Sequence, residues 1–407
     1  MTMAGGAEGR STNMACDECV RRSWLVARLA GHLERRRAER TAIRGVLALR
    51  DEELIAALGG GRRAVIAAEW DQITPADVLA RWSLSGSRAL CRCDPRYPAA
   101  LNDLPDPPAV LHLLGDPGRA DELLAGQDGQ RGCVAVVGAR RSSVEAVEVA
   151  RDIGRGCAAA GLAVVSGMAL GIDSAAHTGA LDASGATIAV LACGPDRVYP
   201  PSRGRLHAEI AARGLVLSEL PPGTTPYRWA FPARNRIIAA LAGLTVVVEA
   251  AARSGSLITA EIALELGRGV GAVPGPVASW RSSGTNALLR DGAHVIRNAR
   301  DVLDDLCGAG GARQASDQLE LELSGLEPRL RETLIAVDRG ADSLAAHAST
   351  PEAVAGALEA LAELELLGLV TRLPGGRYAV TRRLSSAADD RCEVLTNLTH
   401  PGDRASR

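Results

Sequence analysis

The 407-residue sequence predicts an α/β protein in which a parallel-sheet domain lies between a small helical domain and a C-terminal winged helix. Three patterns carry that expectation. From Cys133 onward, short apolar runs alternate with helix-length stretches, as βαβ units do. Residues 21 to 57 place Trp24, Leu25, Leu29 and Leu33 at helical spacing among arginines. Beyond residue 325, helical patterns at Leu326 to Val337, Ser343 to His347 and Pro351 to Leu367 precede two short strands around Gly375-Gly376, a hairpin signal.

In chain order, residues 1–20 read as a flexible tail, 21–90 as the helical domain, 91–306 as the sheet domain, 307–322 as a Gly/Ala linker, 323–384 as the winged helix and 385–407 as a disordered tail. The first helical stretch of that domain, residues 21 to 57, runs up to Gly59-Gly60-Gly61, and its basic face is either a solvated surface or a contact for a nucleic-acid backbone. Five prolines between Pro95 and Pro108 mark residues 91 to 118 as a turn-rich segment leading to the sheet. The expected strands are Val134 to Val137, Ala163 to Ser166, Thr187 to Cys193, Val216 to Ser218, Thr245 to Glu249 and Val270 to Val273. In an open parallel sheet their C-terminal loops share one edge, where ligands bind. The winged helix is acidic and its third helix is rich in leucine (Leu358, Leu361, Leu364), which favours a structural or protein-contacting wing over reading of a major groove.

A net charge of -2 conceals segregation. All 46 basic residues are arginine; residues 21 to 63 carry 11 of them against 5 acids and residues 131 to 300 carry 18 against 12, whereas residues 301 to 407 carry 11 against 18. A polyanion is therefore expected on the front and middle of the chain. Residues 1 to 10 lack the apolar run of a secretion signal and no stretch is long enough to span a bilayer, so the expected location is the cytoplasm, without membrane contact. Nine scattered cysteines in such a compartment are not a disulfide framework. Cys16-x-x-Cys19 and Cys91-x-Cys93 are the close pairs: together they supply four thiolates for a structural zinc, or they are free thiols. No other cofactor is expected.

The loops give the chemistry. After the first strand comes Gly138-Ala139-Arg140-Arg141-Ser142-Ser143, where Gly138 permits close backbone approach and Arg140 offers a fork for an anion beside a helix N-terminus. This is not GxGxxG, so dinucleotide binding is not indicated. The second strand runs into Ser166-Gly167-Met168-Ala169-Leu170-Gly171-Ile172-Asp173, with His177 one turn beyond Asp173. The two side chains are placed to pair and brace the loop, or else to act as acid and base. The fifth strand ends at Glu249, followed by Ser254-Gly255-Ser256 and a helix bearing Thr259, a second hydroxyl-plus-amide nest. Tyr227 to Arg236 holds three of the ten aromatics and three arginines, including Trp229, the sole phenylalanine Phe231, Arg234, Asn235 and Arg236. Rings beside guanidiniums suit single-stranded nucleic acid; the alternative is that Trp229 and Phe231 anchor the core.

In order, VVGARRSS, SGMALGIDSAAHTGAL, GPDRVYP, LSELPPG, FPARNRIIAAL, VVVEAAARSGSLITA and PGPV closely resemble the DNA-processing family DprA, also called Smf, over residues 94 to 300. The resemblance implies an extended Rossmann-like domain that binds single-stranded DNA, dimerises and, in transformable bacteria, helps load RecA recombinase on incoming strands. It implies DNA phosphates at Gly138 and Arg140, and a binding groove formed by Phe231, Arg234, Asn235 and Arg236 with Ser254 and Gly255 as its floor. Ser166, Gly167 and Gly171 would belong to the same groove, with Asp173, His177, Glu249 and Thr259 in support. Many relatives carry a basic residue at the position of Leu170, and with no lysine in the chain arginine must do all the cationic work. The competing class is a nucleotide-phosphate hydrolase with Glu249 as its acid, but Pro274-Gly275-Pro276 departs from the Pro-Gly-Gly-x-Gly-Thr loop such an enzyme should have.

Overall fold

The computed structural model describes residues 15–35, 45–125, 132–308, 326–338, 351–367, 369–373 and 377–380. It divides into two compact units, with the chain boundary after Gly308. Most of the expected linker, the Ser343 to His347 helix, the Gly375-Gly376 turn and the C-terminal tail lie outside the described residues.

The first unit is built on a nine-stranded sheet: β1 (Arg88–Cys91), β2 (Val110–Leu114), β3 (Cys133–Val137), β4 (Ala163–Ser166), β5 (Thr187–Leu191), β6 (Leu215–Ser218), β7 (Leu244–Val247), β8 (Gly269–Ala272) and β9 (His294–Val295). Their spatial order is β1-β2-β6-β5-β4-β3-β7-β8-β9. From β6 to β9 every pairing is parallel, as the alternation predicted. The proline-dense segment does more than lead in: β2 pairs antiparallel with β6, and β1 with β2, extending the sheet by two strands. Pro105, Pro107 and Pro108 lie just before β2, leaving its ladder amides intact.

Side chains of the central strands are buried on both faces. Val134, Val136, Val164, Leu244 and Val246 meet helices α7 (Val144–Ala159), α8 (Ile172–Asp182) and α13 (Ala299–Cys307). The alternate residues Cys133, Ala135, Val165, Ile188 and Leu217 meet α10 (Ala230–Leu241) and α11 (Gly255–Glu265) on the other face. Period-two alternation into two dry layers is what a doubly covered sheet requires. The chain moves outward from β3 to β6 with α7, α8 and α9 (Gly204–Arg213) between strands, then returns to β7 through α10. Strand β3 thus stands where the winding reverses, and the loops after β3 and β7 part around a crevice.

The N-terminal helices are α1 (Asp17–Arg28), α2 (Ala30–Arg35), α3 (Asp51–Leu58), α4 (Arg63–Gln72) and α5 (Pro75–Ser83), so ordered helix begins at Asp17, within the expected tail. Two further α-helices among the described residues of this unit are α6 (Pro117–Ala125) and α12 (Ser283–Arg290). The basic face of α1 is internally paired: Arg22 bridges Asp51 at 2.6 Å, Arg28 bridges Glu69 at 2.6 Å, and Arg21 stacks 4.5 Å from the Trp70 ring. These cations tie α1 to α3 and α4, which removes them from a nucleic-acid surface. No described helix is long and apolar enough to cross a membrane.

In the second unit, α14 (Pro328–Asp338) and α15 (Pro351–Leu366) accompany an antiparallel hairpin, β10 (Val370–Leu373) with β11 (Arg377–Val380). Leu330, Leu334, Leu361, Leu364, Val370 and Tyr378 form its core, whereas Leu358 is 43% exposed.

Candidate nucleic-acid interface

At the C-terminal edge of β3, β4 and β7 lies an open groove of about 600 Å³ lined by Gly138, Arg140, Ala169, Asp173, Arg228, Phe231, Arg234, Asn235, Ser254, Gly255, Ser256 and Thr259, among others. Loops far apart in sequence supply it because the winding reverses there. Each wall has a local cause.

The loop after β3 is bolted to the end of β7. Glu249, nearly buried, accepts from the Ser143 amide at 3.1 Å and from its hydroxyl at 2.7 Å, while the Glu249 carbonyl accepts from the Ala139 amide at 2.7 Å. The same Ser143 hydroxyl caps α7 by accepting from the Ala146 amide. Glu249 is therefore a clamp between two loops. The clamp holds Arg140 out into the groove, with its guanidinium carbon 5.0 Å from the centre of the Phe231 ring. Phe231 in turn lies 5.4 Å from the ring of Tyr199, which is 38% exposed. Tyr199 belongs to the GPDRVYP motif yet is not among the site residues that the sequence points to. The available signal was a further aromatic in a chain with only ten.

The loop after β4 is shaped by a buried cation. Arg234 donates to the Val190 carbonyl and lies 3.9 Å from Asp173. Asp173 also accepts from the Ala169 amide at 3.3 Å. Burial pulls the Arg234 pKa down to about 10, with Asp173 opposing, and burial likewise pushes the Asp173 carboxyl above its usual range against the pull of Arg234. Gly167 is glycine for a steric reason: a Cβ there would run into the Arg234 guanidinium. Gly171, at φ 78, caps α8 where a Cβ would collide with the Ala139 carbonyl oxygen, so the loops after β3 and β4 touch.

The third wall is the start of α11. Ser254 is its N-cap, accepting from the Ser256 amide at 3.4 Å, and Gly255 is exposed beside it. Asn235 donates to the Gly255 carbonyl at 3.3 Å, joining α10 to this nest. The positive end of α11 and the Ser254 and Ser256 hydroxyls thus face the same space as Arg140 and the exposed Arg228.

Several expected site residues stand elsewhere. Arg236 is fully buried: it contacts Asp106 at 3.1 Å, Glu219 at 2.7 Å and the Asp106 carbonyl at 2.9 Å. It points away from the groove because it follows Arg234 by two residues on a helix, about 200° around the axis. Trp229 is also buried, donating to the Ala30 carbonyl at 2.9 Å, so of the two rings weighed for stacking it is the core anchor. Ser166 is buried and donates to the Val136 carbonyl at 2.6 Å, joining β4 to β3. His177 does not pair with Asp173; its Nδ1 bonds the Thr187 hydroxyl at 2.6 Å, and burial lowers its pKa to about 3, so it is a neutral core residue. The Leu170 position is 41% exposed.

The cysteine pairs do meet. The sulfurs of Cys16, Cys19, Cys91 and Cys93 all lie within 4.8 Å of one another.

Residues 88–307 match the family described as DNA recombination-mediator protein A. Protein Smf of Synechocystis is 34% identical over 342 residues, covering 76% of this chain and 84% of its own length. A putative DNA processing protein DprA of Mycobacterium tuberculosis is 45% identical over 222 residues, 54% of this chain and 52% of its own. The X-ray structure of DNA processing protein A from Streptococcus pneumoniae superposes with a TM-score of 0.57 at 33% identity, covering 72% of this chain and 99% of that one. The matched segment begins at the first sheet strand and ends with α13, so the groove and all its walls fall inside it: the chain belongs to the DNA recombination-mediator protein A family.

Proposed function

We propose that the protein binds single-stranded DNA along this groove, protects it, and helps place RecA recombinase on it during recombination or transformation, in the cytoplasm and as a homodimer that lengthens the groove. One observation carries the reading: an exposed arginine stacked on a half-buried phenylalanine faces a helix N-terminus and two serine hydroxyls across one open groove. Phosphates suit Arg140, Arg228 and the Ser254-Gly255-Ser256 nest, while bases stack on Phe231 and Tyr199 without being read. Gly138, Asn235 and Thr259 shape the groove, and Arg234 with Asp173 and Gly167 holds its floor. The family's description as a recombination mediator supports the RecA role.

Binding is favoured over catalysis. Asp173 is the carboxylate among the described lining residues, and it is committed to Arg234 and the Ala169 amide. The test is a fluorescence titration of a labelled oligonucleotide, single- against double-stranded, across a salt series. Affinity for the single strand should be higher and fall by roughly 0.7 in log K per log salt for each phosphate contact. Affinity independent of salt, or turnover of nucleoside monophosphates, would overturn the proposal.

A further inference from the structure

We propose that Cys16, Cys19, Cys91 and Cys93 bind one structural zinc ion that pins the start of α1 to the first strand of the sheet. Tetrahedral zinc with Zn–S bonds of about 2.3 Å sets its sulfurs about 3.8 Å apart. Cys93 Sγ stands 3.8 Å from both Cys16 Sγ and Cys19 Sγ, and the whole quartet fits within 4.8 Å. Four sulfurs drawn from segments more than seventy residues apart thus come within about 1 Å of the spacing such a site needs.

The backbone explains why this spacing works. Cys16 is the N-cap of α1 and Cys19 lies one turn on, so both residues stand at the positive end of a twelve-residue helix, where thiolate charge is favoured. Cys91 ends β1, and the chain turns at once, with the Asp94 amide donating to the Cys91 carbonyl at 2.9 Å. That turn brings Cys93 back beside Cys91, so a one-residue spacing serves where CxxC is usual. The Cys16 amide also lies 3.4 Å from Cys91 Sγ, an N–H···S contact of the kind that supports metal thiolates. Cys19 and Cys91 are buried with Val20, Val78, Trp82 and Val110, while Cys16 and Cys93 remain open to an arriving ion.

Binding releases the thiol protons to solvent and leaves a zinc tetrathiolate of net charge -2. Arg92, between Cys91 and Cys93, lies 3.9 Å from Glu18, between Cys16 and Cys19, so these two flanking charges offset each other. No redox step is involved. The d¹⁰ ion and four soft ligands select zinc over harder divalent cations. The clamp serves the groove at one remove, because α1 continues into the Ala30 region that receives the Trp229 indole.

The test uses tag-free full-length protein purified in reducing buffer without chelator. Elemental analysis should find one zinc per chain, and X-ray absorption at the zinc edge should find four sulfurs at about 2.3 Å. A Cys16→Ser, Cys93→Ser double variant should lose the zinc, whereas Cys307→Ser should keep it. Metal-free protein, stoichiometric iron in place of zinc, nitrogen or oxygen in the first coordination sphere, or zinc retained by the double variant would each overturn the proposal. The absorption measurement needs only the unaltered protein, so poor folding of the double variant does not rescue the idea.

Discussion

Replacing Arg236 with methionine separates structure from binding. The guanidinium is 1% exposed and serves Asp106, itself 1% exposed, and Glu219, 15% exposed, together with the carbonyls of Asp106 and Ala233. Methionine keeps most of the volume but takes the guanidinium away from the buried Asp106 carboxylate. Removing one member of a buried pair costs about 3–5 kcal/mol, which lowers the folded-to-unfolded ratio by about a hundredfold to a few thousandfold. In urea, with a slope near the upper end of about 1–3 kcal/mol per M, the midpoint should fall by more than about 1 M. The gap from the native protein should narrow in acid, because protonating the Asp106 carboxyl removes the buried charge that Arg236 offset. Folded variant should bind a single-stranded oligonucleotide as the native protein does, since Arg236 does not face the groove. An unmoved urea midpoint with affinity down tenfold would refute the burial argument and return Arg236 to the site.

Arg140→Ala should show the reverse pattern: stability within about 0.5 kcal/mol of native, affinity down about tenfold to a hundredfold for one charge-assisted phosphate contact, and a salt slope smaller by about 0.7. Unchanged affinity would remove Arg140 from the interface. Gly167→Ala drives a methyl into the Arg234 guanidinium and should cost about 2–3 kcal/mol. Combined with Arg234→Met the two costs should add to less than their sum, and strict additivity would show that the glycine answers to something else. His112 and His177 are both buried with pKa values of about 3, so each is neutral when folded but charges in the unfolded chain below about 6.5. Their contribution is complete above about pH 6.5 and falls away by about 1.4 kcal/mol per pH unit for each residue on acidification toward about pH 3. Chemical unfolding at a series of pH values should show that slope, reduced in His177→Gln; a flat profile between about pH 6.5 and 5 contradicts the neutral burial.

The parallel core was legible because both-face burial writes continuous apolar runs such as Val134 to Val137. β2, also buried, was hidden because the prolines before it dominate the local pattern and carry no information about the strand beyond them. Motif order was enough to bring Gly138, Arg140, Phe231, Asn235, Ser254 and Gly255 to one groove. It could not tell which face of α10 each arginine takes, since Arg234 and Arg236 look alike in a string yet differ by over half a helical turn. Two buried carboxylates, Asp173 and Asp106, decide their fates, and neither is close in sequence to its arginine. His177 departs from expectation for a related reason: four residues from Asp173 is helical spacing, but the ring bonds the Thr187 hydroxyl on the neighbouring strand instead. The cysteines show the opposite case, where an awkward spacing on paper is resolved by a single turn.

The Trp229 indole, seated among Leu25, Leu29, Leu33 and Ile66 with its nitrogen on the Ala30 carbonyl, sits two residues from Phe231 on one continuous stretch of backbone. A fragment that starts at Arg88, where similarity to the family begins, would expose that indole to water and unseat the arm that presents Phe231. Trimming the protein to its most recognisable region would therefore blunt the recognition it was trimmed to isolate, and the residues ahead of Arg88 behave as part of the tool rather than as its handle.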